Sequence, residues 1–135
     1  MDAFNVTTQI LDLAEARRRL PRVRERVRKL RELAEASIAA SAEIEDARRS
    51  GASTDALRRL ADASAELQQA FVAEVRALND DGAMLKDPVV GLIDFYAWRG
   101  EDLVFLCWKD GEDDVSHWHG LHEGFAGRKP TDDRT

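Results

Sequence analysis

DLAEARRRLPRVRERVRKLRELAEASIAASAEIEDARRSGASTDALRRLADASAELQQAFVAEVRALNDDG, Asp12 to Gly82, decides the fold. From Asp12 to Arg49 there is no glycine, and Leu20, Val23, Val27, Leu30, Ala34, Ser37 or Ile38, Ser41 and Ile44 recur at alternating spacings of three and four. That is the period of a helix with one apolar seam, of the coiled-coil kind. Asp12, with Glu15 three residues on, suits a capping box, and Pro21, lacking an amide proton, predicts a short first piece and a long second one. Ser50-Gly51-Ala52-Ser53 interrupts the pattern, Thr54 or Asp55 can cap a new helix, and Leu57, Leu60, Ser64, Leu67, Phe71, Val75 and Leu78 resume the spacing. Asn79-Asp80-Asp81-Gly82 ends it. A connection this short makes the helices antiparallel, so residues 12–81 read as a helical hairpin.

Beyond Gly82 the period changes. Val89–Ala97 and Leu103–Lys109 are rich in β-branched and aromatic residues, with a hairpin turn at Arg99-Gly100, and Val115–His119 follows as a third strand. With the turns so centred, Asp94 is expected opposite Phe105, and Leu106 opposite His117. One face then carries Ile93, Phe95, Val104, Leu106, Trp108, Val115, His117 and His119; the other carries Leu92, Asp94, Phe105, Cys107, Ser116 and Trp118. Both are largely apolar, so one is expected to pack on the hairpin and the other on the tail or a second subunit. The expectation is an α+β fold in a single domain, 1–135: hairpin 12–81, small antiparallel β-meander 86–119, irregular tail 120–135.

The residues just quoted also carry a resemblance. Leu20-Pro21, Lys86-Asp87, Gly91-Leu92 with Asp94-Phe95, Leu106-Cys107-Trp108, Gly111-Glu112, Trp118-His119, and Gly124-Phe125-Ala126-Gly127-Arg128 with Pro130 resemble the pattern of small bacterial proteins grouped as domain of unknown function family 2203. Tyr96 stands where that pattern has proline. The resemblance implies the architecture and the place of a site, and that His119 alone of the three histidines belongs to the motif. It implies no chemistry.

The chain has 135 residues and a net charge of -6, a balance that favours solubility and disfavours indiscriminate phosphate or membrane binding. There is no candidate membrane span and no export signal in MDAFNVTTQILDL, and one cysteine forms no internal disulfide, so a reducing cytoplasm is expected. Without export, Asn5-Val6-Thr7 is an idle glycosylation sequon. Arg17, Arg18, Arg19, Arg22, Arg24, Arg26, Arg28, Lys29 and Arg31 stand against Glu25 alone, but they surround the seam and no aromatic residue interleaves with them. A solvated flank, or one docking on an acidic partner, is favoured over nucleic-acid binding.

The chemistry concentrates between Leu103 and Pro130. A divalent metal could take His117, His119, His122 and Cys107, although the register above turns Cys107 away from both strand histidines, and the spacing matches no standard metal signature. The bland reading makes these histidines amphipathic rim residues beside tryptophans. Cys107, between Leu106 and Trp108, reads as a buried hydrophobe before it reads as a nucleophile. Gly124 to Lys129 could present backbone amides and two cations to a phosphate or carboxylate, but it departs from the phosphate-binding loop rule, and a structural turn in which Arg128 pairs with an internal carboxylate such as Asp94 or Glu112 is an equal reading. The leading expectation is a binding or accessory module whose hairpin engages a protein partner or a second copy. Its polar pocket would be built from Asp94, Glu112, Trp118, His119, Phe125 and Arg128. The alternative is a small metal-dependent or acid–base enzyme using His119 with Glu112 and Asp94.

Overall fold

The computed structural model describes residues 4–135. Two long helices, α1 (Leu13–Arg49) and α2 (Thr54–Asp80), pack against each other and lead into a sheet of β1 (Ala83–Asp87), β2 (Leu92–Arg99), β3 (Asp102–Lys109), β4 (His117–Gly120) and β5 (Lys129–Pro130). The strands lie in chain order and every neighbouring pair is antiparallel. The fold is α+β, as the change of period implies.

Asp12 caps α1, its carboxylate accepting from the Glu15 amide at 2.7 Å. The Glu15 side chain turns instead to Arg18 and Arg19, so the second half of the capping box is replaced by ion pairs. Pro21 does not divide the helix: α1 is continuous through it. A proline inside a helix costs about 3 kcal/mol, whereas Leu20, Val23, Val27 and Leu30 are all buried, at roughly 1.5–3 kcal/mol each. Keeping these four side chains in phase outweighs the lost hydrogen bond. The cap of α2 is Ser53, one residue earlier than expected, accepting from the Ala56 amide at 3.1 Å.

Burial divides the hairpin in two. Leu20 to Leu30 of α1 and Val75 and Leu78 of α2 lie in a core shared with Leu85, Ile93, Phe95, Leu106 and Trp108 of the sheet. Past Leu30, no residue of α1 is fully buried, and none of α2 before Val75. The stretch from Arg31 to Arg49, about 28 Å long at 1.5 Å per residue, therefore projects from the core, with the β1–β2 turn beside its root and the opposing helix along it.

The basic run of α1 serves the base of the hairpin. Arg22 and Arg26 donate through Nε to the two oxygens of Asp81 at 2.8 and 2.9 Å, and Arg19 donates to its carbonyl at 3.0 Å. Asp81 caps the C-terminus of α2, where a carboxylate opposes the helix dipole unless cations compensate it. Arg17 reaches the Val115 carbonyl, Arg24 the Asp113 carbonyl, and Arg31 both the Val89 carbonyl and Asp110. The acidic partner of these arginines is in large part the chain itself.

The sheet has five strands where three were expected. β1, Ala-Met-Leu-Lys-Asp, lacks β-branched residues and exists by pairing with β2, while Val89 and Val90 fall in the turn between them. The β2–β3 turn centres on Gly100-Glu101, with Gly100 at φ +61°, so Asp94 opposes Cys107 and not Phe105. That shift of two residues preserves the faces. Between β3 and β4 the shift is of one residue: Leu106 opposes Trp118, not His117. Val115 leaves the strand to enter the core, held by Arg17, and β4 starts only at His117. His117 and His119 thus exchange faces with Trp118.

Candidate functional site

One face of the sheet packs on the helices through Ile93, Phe95, Leu106 and Trp108, with Trp118 beside them. Across the other, Met84 of β1, Asp94 of β2, Cys107 of β3 and His117 of β4 are successive cross-strand partners, and Phe105 opposite His119 forms the neighbouring row. Asp94, Cys107 and His119 are sealed, at 2 %, 0 % and 3 % exposure. The expectation that Cys107 points away from both strand histidines is corrected by the one-residue shift: all three side chains share a face.

His119 Nε2 lies 3.1 Å from each oxygen of Asp94, and Nδ1 lies 2.9 Å from the Gly120 carbonyl. Both ring nitrogens confront acceptors, an arrangement satisfied by an imidazolium donating in both directions. The Asp94 carboxylate raises the His119 pKa against the opposing cost of burial, and the Gly120 carbonyl adds to the rise. Burial, and then the negative charge of Asp94, push the Cys107 thiol up to about 12, so it is a neutral thiol at physiological pH. One ligand atom from each of Asp94, Cys107 and His119 lies within 4.8 Å of the others. His117, half-buried on the same face, is 3.3 Å from the Ser116 hydroxyl, and His122 is exposed; neither joins that set.

Glu112 and Arg128 form a second cluster beside the first. Both terminal guanidinium nitrogens of Arg128 donate to the Glu112 carboxylate, one at 3.1 Å, and Glu112 also accepts from the Lys109 amide at 2.9 Å. Burial works against the Glu112 charge, but Arg128 and the Lys109 amide outweigh it and hold its pKa below the usual range. Arg128 touches the first cluster through Cys107 Sγ at 3.8 Å. The pairing of Arg128 with a carboxylate is as the sequence suggests. Glu112 belongs with Arg128, and Asp94 with His119.

Phe125 lies half in solvent between the Arg128 guanidinium at 4.3 Å and the Lys109 ammonium at 5.5 Å from its ring centroid. Trp118 is covered by Arg99 at 4.4 Å and Lys129 at 4.8 Å. Three tethers had no sequence signature. Glu123 binds the Gly120 amide and Lys129, Arg99 grips Asp132, and buried Asn5 bonds both the amide and the carbonyl of Leu85. Arg99 and Asp132 are each ordinary surface charges in a string, and a lone asparagine near a terminus has no periodicity to betray it.

A second feature is open. Ala34, Ser37, Ile38, Phe71, Pro88 and Val89 line a groove of about 370 Å³ where the projecting hairpin leaves the sheet. Ile38 is 62 % exposed, and Val89 and Val90 also face outward. Among the described residues, no helix is long and apolar enough to cross a membrane.

A family model described as "Uncharacterized conserved protein (DUF2203)" matches residues 9–131, nearly the whole chain. No curated protein and no solved structure matches it.

Proposed function

The chain belongs to the uncharacterized conserved family DUF2203, and from that premise we propose that it is a docking module whose projecting hairpin pairs with a second copy of itself. The observation that carries this reading is the half-covered outer hairpin. Between Leu30 and Val75 the seam is never fully buried, and Ile38 with Val89 opens a groove at its root. Two helices alone cover one stripe each, and helical stability in water comes mainly from packing that stripe. Two hairpins laid together would make a four-helix layer and cover both. Alanines 39, 42, 61, 63 and 65 on the exposed surfaces permit close approach. Glu32, Glu35 and Glu43 line the outer part of α1, and at the tip Arg48, Arg49 and Arg58 pair with Glu45, Asp46 and Asp55, so no block of like charge there opposes the approach of a second copy.

In this reading the Glu112–Arg128 pair is a clasp, which with Glu123 and the Arg99–Asp132 pair ties the tail to the sheet. General-base work by His119 would require the imidazole to be uncovered, because it is buried and already committed at both nitrogens. The test is sedimentation equilibrium of the full chain with Ile38→Glu beside it. A dimer that becomes a monomer in the variant, with unchanged helical content, is the expected outcome. A wild-type chain that is monomeric at every concentration up to the solubility limit would refute self-pairing.

A further inference from the structure

The sealed cluster has the composition and placement of an ion site. Asp94, Cys107 and His119 come from three adjacent strands and aim a carboxylate, a thiol and an imidazole at one volume. His119 is held as metal-binding imidazoles are: Nδ1 faces a backbone carbonyl at 2.9 Å, leaving Nε2 as the inward atom. Asp94 is buried, and both its oxygens face His119 Nε2 with the Cys107 thiol beside them. A carboxylate can accept about four hydrogen bonds, so this one keeps acceptor capacity pointed into the cluster. The distance of 3.1 Å between Nε2 and either oxygen is a few tenths of an ångström under the edge of a tetrahedron around an ion bound at about 2.0–2.2 Å, so a slight parting of the two groups would admit one.

We propose that Asp94, Cys107 and His119 bind a divalent transition-metal ion of the zinc class, which locks β2, β3 and β4 to the root of the tail. One thiolate, one imidazole and one carboxylate favour zinc over magnesium or calcium, which prefer oxygen alone. The charges balance. A thiolate, a carboxylate and a divalent cation sum to zero with a neutral imidazole, so no net charge is left buried. The ion enters as the Cys107 thiol and the His119 Nε2 each release a proton to solvent, and metal–sulfur and metal–nitrogen bonds replace the two bonds to hydrogen. The metal-free imidazolium–carboxylate pair is the same site with a proton in the place of the ion. His117, the partner of Cys107 across the strands, shares their face but lies outside the set of three.

The experiment is cobalt titration of the chelator-treated full chain, followed by zinc competition. Expected is one cobalt per chain, with a sulfur-to-cobalt charge-transfer band in the near ultraviolet, strong tetrahedral bands in the visible, and loss of all of them on adding zinc. Because Cys107 is the sole thiol, that charge-transfer band reports this site alone. Cys107→Ser should abolish it and weaken binding by more than the roughly 10–100-fold typical of losing an outer-shell partner. Should Cys107→Ser fail to fold, the wild-type band still decides. No cobalt bound in excess metal, cobalt bound without a sulfur band, or a band that persists in Cys107→Ser would overturn the proposal. None of these readouts depends on whether the hairpins pair.

Discussion

The base and the outer half of the hairpin are built on the same three-and-four spacing and differ in what surrounds them. At the base, Val23, Val27 and Leu30 meet Val75, Leu78 and the inner face of the sheet, and none is reached by solvent. In the outer half, Ala34, Ser37, Ile44, Leu57, Leu60 and Leu67 lie beyond the shared core and stay half-buried. Arginines fasten the base to α2 and the loops, whereas the tip carries short-range pairs such as Arg49 with Asp46 that are exposed and worth little. Periodicity announces a seam; it does not say how many layers will close over it.

The sharpest way to break that contrast is to place one charge on each side of it. Leu30→Asp should cost at least about 4 kcal/mol, since an unpaired carboxylate enters a sealed core. Leu67→Asp should cost only about 1–2 kcal/mol, because its half-exposed seam lets the charge reach water. Equal shifts in the denaturant midpoints of the two variants would erase the distinction between base and outer half.

Asp94→Ala should come next, at about 3–5 kcal/mol, by leaving the His119 imidazolium buried without its carboxylate. The pH dependence has a defined sign. The folded-state pKa of His119 is raised, so the stability from its pair is fully present below the free imidazole value of about 6.5 and is lost as pH rises through the raised value. Glu112 is depressed, so its contribution is present above the free value of about 4.3 and is lost as pH falls through its lowered pKa. Chelated Asp94→Asn should lose the alkaline decline and keep the acid one. Urea melts across the pH range would show it, and an unchanged alkaline limb would discount the pair.

Arg128→Ala should cost about 1–3 kcal/mol, confined to the tail, by freeing Glu112 and uncovering Phe125. Amide exchange should quicken from Gly120 to Pro130 while Val23 to Leu30 remain protected. Uniformly faster exchange would mean that the tail and the hairpin unfold as one unit. Least affected should be Ile38→Glu, which changes monomer stability by no more than about 0.5 kcal/mol while weakening association.

Local pattern was enough to set the helical hairpin, the switch to strands after Gly82 and the two alternating faces of β2 and β3. Each is written in spacing or in glycine placement, which local sterics enforce wherever the chain goes. It also brought Arg128 to a carboxylate, because few other partners suit a guanidinium at a glycine-flanked turn. Tertiary structure alone decided that Pro21 would be carried inside one helix, since the four buried side chains around it outweigh one lost hydrogen bond. It created β1 and β5, which have too little intrinsic preference to stand without a neighbouring strand. It also settled the register of β4. Val115 packs into the core and the strand starts late, so a shift of one residue moves His119 from the helix side to the side of Asp94 and Cys107. A strand's alternation fixes which residues travel together, but which of its two sides faces the cluster depends on where the preceding loop is anchored, and only packing sets that.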